Sequence, residues 1–143
     1  MKKIIYTRPD GEVSVVSPAP AAQFLSETED EFLARIQAKD VPSDAINPQI
    51  VDESTIPADR TFRNALRQNG SILIHDMPTC RQIQEQRMET SRRIKMHNLL
   101  MREELGENVA AEKAVLRAIN ARALCQAAQT PEELKAAMPD ILK

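Results

Sequence analysis

Between Pro78 and Pro131 the chain holds no proline and one glycine, Gly106. Within a helix, proline costs about 3 kcal/mol and glycine about 1 kcal/mol relative to alanine. A stretch this long with one interruption is therefore free to run as helix almost throughout. The spacing predicts one helix from Met77 to about Leu105, closed by Gly106 as the left-handed residue just past its end. A second is predicted over Asn108 to Gln129, which includes eight alanines. A turn this short makes the two an antiparallel hairpin. Asp76 serves as the N-cap of the first, and Pro78 is tolerated in its opening turn. Thr130-Pro131-Glu132-Glu133 starts a short final helix: a cap, a proline at the first helical position, then acids.

The residues before His75 follow a different pattern. Lys3–Thr7 and Glu12–Val16 are rich in β-branched side chains. Pro9-Asp10-Gly11 between them has turn chemistry, which predicts a β-hairpin. Ser17-Pro18-Ala19-Pro20 ends it, since proline cannot donate to a ladder. Thr28 and Glu31 have the spacing of a capping box, and Phe32, Leu33 and Ile36 form an apolar stripe behind it. The prolines at 42, 48 and 57 keep the next segment extended, with Gln49–Val51 a short strand. Thr61–Leu66 is open between a helical turn and a strand. Ile72–Ile74, after the Asn69-Gly70 turn, reads as a buried strand able to join the N-terminal hairpin. The expected fold class is α+β. Residues 1–76 make a small α/β module with a β-hairpin or sheet and a helix. Residues 77–143 make a helical hairpin module with a short C-terminal helix.

Composition narrows the chemistry. Aromatic residues are 3% of the 143, and none follows Phe62. A core of Leu, Ile, Val, Met and Ala suits helix packing better than a wide sandwich or barrel. The net charge of −2 excludes nucleic-acid binding by bulk electrostatics. The charge is divided, however: residues 1–60 carry 6 basic and 11 acidic side chains, and residues 61–143 carry 13 and 10. Halves of opposite sign can contact each other between neighbouring copies. Cys80 and Cys125, far apart and in no CxxC pattern, read as free thiols of a reducing compartment. The opening Met1–Arg8 is basic, but its apolar run is too short for a signal peptide, and no membrane contact is expected.

No motif carries catalysis. His75 and His97 have no second ligand at helical spacing, so no metal site is expected. There is no GxSxG, no Cys/His signature and no glycine-rich phosphate loop. The residues predict no enzyme, no cofactor and no metal. Arg81, Arg87, Arg92, Arg93, Lys95 and Arg102 lie on one helix and could track phosphates. Acids interrupt them and no aromatics interleave, which favours a solvated or protein-facing helix. On that helix Cys80, Ile83, Ile94, Met101 and Leu105 form one broken apolar stripe, while Met88, Met96, Leu99 and Leu100 lie elsewhere. On the next, Val109, Leu116, Ala123 and Ala127 form the facing stripe. Apolar residues on more than one face call for a partner beyond the hairpin.

Residues 52–87 resemble a segment of small proteins encoded in the tail-gene regions of tailed bacteriophages. The matching residues are Ile56–Ala65, Asn69-Gly70, Ile74, Asp76-Met77-Pro78, Arg81, Ile83 and Arg87. Leu66 stands where that family has Trp. Ala127–Ala136 is similar to the family's usual ending. The resemblance implies a virion component or an assembly factor, made in the host cytoplasm, with other phage virion proteins and copies of itself as partners. The candidate contact residues are Met96, Leu99 and Leu100, Arg92 and Arg93 beside them, and Phe62 and Arg63 of the shared segment. The expected function is that of a non-enzymatic virion structural protein, tail- or neck-associated. The alternatives are a tail-assembly chaperone absent from the mature particle and a nucleic-acid-binding regulator.

Overall fold

Ile4 and Ile5 are neighbours in sequence and both are fully buried. Successive side chains of a strand point to opposite faces, so the strand that holds them is covered on both. That strand, β1 (Lys2–Thr7), is the centre of an antiparallel sheet ordered β2-β1-β3, with β2 at Val13–Val16 and β3 at Ile46–Asp52. On one face Ile4 packs with Phe32 and Ile36 of α1 (Glu29–Asp40). On the other, Ile5 and Val51 pack with Leu66 and Leu73. Leu66 and Leu73 belong to a separate two-stranded ribbon, β4 (Leu66–Asn69) and β5 (Ile72–His75). The computed structural model describes residues 1–143, which form two compact units, Met1–Asp76 and Met77–Lys143.

The fold class is α+β: a small antiparallel sheet with a helix, then a long helix followed by short ones. In the first unit the local signals act as their chemistry dictates. Gly11 takes φ +85° in the β1–β2 turn, and Asp10 accepts from the Glu12 amide at 2.9 Å. At α1, Thr28 and Glu31 close a reciprocal capping box. One expectation is corrected. Ile72–Ile74 does not join the hairpin sheet but pairs with residues 66–69. The two edges of β1 are already taken by β2 and by β3. Nor is β5 buried throughout: Leu73 packs against the face of the sheet, while Ile72 and Ile74 point the other way and are 49% and 47% exposed.

In the second unit α2 spans Met77–Glu104 and ends at Gly106, φ +91°. The Glu107 amide donates to the Arg102 carbonyl at 3.1 Å and the Gly106 amide to that of Glu103 at 2.9 Å. These are the paired bonds of a Schellman ending. The return arm departs from the single helix expected over 108–129. It is two helices, α3 (Ala110–Ala118) and α4 (Ala121–Ala127), separated at Ile119-Asn120. Asn120 leaves the helical conformation and caps α4, accepting from the Ala123 amide at 3.1 Å. Helix α5 (Pro131–Ala136) starts at the expected Thr130 cap. The break re-phases the arm: Val109 and Leu116 are buried as expected, but Ala121, Cys125 and Ala128 are buried in place of Ala123 and Ala127.

The buried stripe of α2 also differs from the expected one. It consists of Cys80, Gln84, Met88 and Leu99, with the part-buried Ser91 and Lys95 between the last two. Successive members are three or four residues apart, so the stripe is continuous at helical period. Its polar members meet main-chain carbonyls. Gln84 Nε2 donates to Leu134 O at 3.0 Å, and Ser91 Oγ to Leu142 O at 2.6 Å. Ile83 and Ile94 fall off this line, and Ile94 is 56% exposed.

Candidate docking groove

Residues 92, 96 and 100 lie at i, i+4 and i+8 on α2, with 93 and 97 one position round. This face lies beside the buried stripe, not on it. Arg92, Arg93, Met96, His97 and Leu100, together with Glu89 and with Arg117 of α3, line a cleft of about 570 Å³. Met96 and Leu100 supply its apolar surface. Leu100 is 43% exposed.

The arginines of the cleft are not equivalent. Arg92 is held from two sides: Nη1 donates to Ile119 O at 3.0 Å, and Nη2 pairs with Glu89. It forms part of the wall and holds the α3–α4 break. Arg93 and Arg117 are exposed and have no carboxylate partner within the chain. The rim therefore presents uncompensated positive charge next to an apolar surface. A pair of unpaired guanidiniums in water is an attractive docking feature for carboxylates, because each can form a bidentate, charge-assisted contact.

Four of the seven expected contact residues, Met96, Leu100, Arg92 and Arg93, come together here. Two others do not. Leu99 is 6% exposed and Phe62 2% exposed, so each is an interior side chain of its own unit. Leu99 sits one position from Leu100, about 100° round the helix, which turns it into the buried stripe. Arg63 is exposed and lines a separate cleft of the first unit with Arg8 and Arg60. His97, Glu89 and Arg117 also line the cleft, and none of them is among the expected contact residues. The i, i+4 pair 93/97 was visible, whereas Arg117 enters only through the packing of α3.

Most other cations of the basic strip have intramolecular duties. Arg81 donates to Ala128 O at 2.9 Å through Nη2, satisfying the carbonyl at the end of α4. Arg102 contacts Glu107 at 2.7 Å and Glu112 at 3.0 Å. Both cysteines are buried. Burial, and then the negative charge of Glu85, push the Cys125 thiol above its usual range. A thiol held in its neutral form is a poor nucleophile. No cluster of three or more His, Cys, Asp or Glu side chains is arranged to hold a metal ion. What the cleft offers chemically is recognition of an acidic, partly apolar surface.

No family model matches the chain, and no curated protein or solved structure matches it. No helix is long and apolar enough to cross a membrane.

Proposed function

We propose that this chain is a non-enzymatic structural protein of a tailed-bacteriophage virion, tail- or neck-associated, that docks onto other virion proteins through the outer face of α2. The observation that carries the docking role is the α2–α3 cleft, where Met96 and Leu100 lie beside Arg93 and Arg117, two arginines without carboxylate partners. An apolar surface ringed by cations suits a protein partner better than a nucleic-acid backbone, which calls for a longer run of unpaired cations. Arg81, Arg92 and Arg102 are engaged within the chain. The virion setting rests on the resemblance of residues 52–87 and 127–136 to phage tail-region proteins.

The test is incorporation. Wild-type protein and an Arg93→Glu/Leu100→Glu variant are supplied to a phage lacking its own copy, and purified particles are analysed by quantitative mass spectrometry. The wild type is expected in particles at a fixed ratio to the tail proteins, and the folded variant is expected in the lysate only. Wild-type protein confined to the lysate would instead identify an assembly chaperone. A salt-sensitive gel shift with DNA would identify the regulator.

A further inference from the structure

We propose that the α2–α3 cleft receives the Phe24–Glu31 segment of a second copy of this chain, so that copies join head to tail. The inference deepens the proposed function and rests on it, naming one occupant of the same cleft.

The segment is an unusual feature of the first unit. Leu25 is the most exposed large apolar side chain of the protein, and its neighbour Phe24 is 62% exposed. Exposure here is not looseness. Arg35 of α1 grips the loop, donating through Nε and Nη2 to the two carboxylate oxygens of Glu27, each at 2.8 Å. The same Nη2 donates to Ala22 O at 2.9 Å, and the guanidinium lies 4.3 Å from the centre of the Phe24 ring. The Phe24 amide donates to Glu27 Oε2 at 3.1 Å, and the Glu27 amide returns a bond to Phe24 O at 3.0 Å. The loop is fastened with its two apolar side chains facing water. A preformed projection loses little conformational freedom on docking.

Its flank has the complementary charge. Glu29, Asp30 and Glu31 follow directly in the first turn of α1. The Asp30 side chain is 89% exposed, and Lys2 is the cation that contacts Glu29 and Asp30, at 3.7 and 3.4 Å. One lysine against three acids leaves net negative charge beside the apolar pair. The cleft has the opposite composition, with Met96 and Leu100 for the apolar side chains and Arg93 and Arg117 for the acids. The two surfaces are different, so the head-to-tail contact is heterologous: a docked pair still presents one open cleft and one open projection. Two apolar side chains and a few ion pairs make a contact smaller than a standard interface. Association is therefore expected over roughly 10 μM to 1 mM, weakened by salt because the charges are exposed.

Sedimentation velocity on the full chain tests this, with Leu25→Asp removing the projection and Leu100→Glu removing the cleft. Circular dichroism melts establish that both variants are folded. Should Leu100→Glu melt early, Arg93→Glu/Arg117→Glu takes its place. The wild type is expected to sediment faster as concentration rises and as salt falls. Each variant alone is expected to remain monomeric. An equimolar mixture of the two is expected to form a dimer and nothing larger, because one intact cleft and one intact projection remain. A wild type monomeric throughout, a single variant that associates like the wild type, or a mixture that stays monomeric would each overturn the inference. If it falls while the cleft variant is still lost from particles, another virion protein occupies the cleft and the proposed function stands. If the mixture dimerises while wild-type protein is absent from particles, the self-contact stands and the virion reading falls.

Discussion

Arg92 and Ile119 meet across the second unit, with Arg92 Nη1 donating to the main-chain oxygen of Ile119 at 3.0 Å. Ile119 is the residue at which α3 stops, in extended conformation at ψ 118°. Its carbonyl has left the helical ladder, and the guanidinium satisfies it while also pairing with Glu89. Arg92→Ala should therefore destabilise the second unit by about 1.5–3 kcal/mol, the range for hydrogen bonds to charged groups. Lysine should recover less than half of this, since a single ammonium cannot reproduce the fork to both partners. Urea denaturation of the three proteins measures both effects.

The same contact explains why the break was not legible in the sequence. Residues 108–129 have strong helix propensity, and propensity is summed over neighbours alone. The interruption is decided by Asn120, which caps locally, and by Arg92, 27 positions away. The features that were legible are those settled within a few residues: the Thr28–Glu31 capping box, the Gly11 and Gly106 turns, and the Thr130 cap. The polar line of α2 shows the same division. Gln84 and Ser91 look like surface residues until the carbonyls of Leu134 and Leu142 are placed opposite them. Part of the candidate site was legible because 92, 93, 96 and 100 share a helix face. Leu99 and Phe62 are core residues, since apolar character alone does not separate a contact surface from a core.

Leu99 and Leu100 give a direct test of that distinction. Leu99 is 6% exposed and Leu100 43% exposed. Leu99→Ala should cost about 2–5 kcal/mol, the usual range for emptying a buried leucine site. Leu100→Ala should cost about 1 kcal/mol or less. Introducing glutamate should widen the gap, because position 99 would bury a charge without a partner. Thermal melts of the four variants are sufficient, and similar losses at both positions would remove Leu100 from the docking surface.

Gly106 separates backbone strain from steric crowding. Its φ is +91°, and a Cβ added there would meet no atom within 4 Å beyond its chain neighbours. The cost of replacing it therefore comes from the left-handed backbone conformation alone. Gly106→Val should destabilise the second unit by about 1–2 kcal/mol. Gly106→Asn should cost less, because asparagine tolerates this region better. Equal losses in chemical denaturation would point to a different origin for the effect.

Acid should loosen the projecting loop of the first unit, and the sign follows from Glu27. The bonds from Arg35 hold its carboxyl below the ordinary value of 4.5; burial opposes this, while the Phe24 amide and the charge of Arg35 add to it. A carboxyl whose folded value lies below its unfolded one stabilises the fold above the unfolded value, and that contribution disappears as pH falls through the folded value. Wild-type protein should therefore melt above a Glu27→Gln variant at pH 7. The gap should narrow only below about pH 4.5. Asp52 and Asp140 are lowered too, by Ser54 and by Lys143 respectively. Both variants retain them, so the difference between the two melting curves isolates Glu27. A gap independent of pH from 7 to 3 would show that the Arg35–Glu27 pair does not hold the loop. Phe24 and Leu25 would then be exposed on a segment with no fixed geometry.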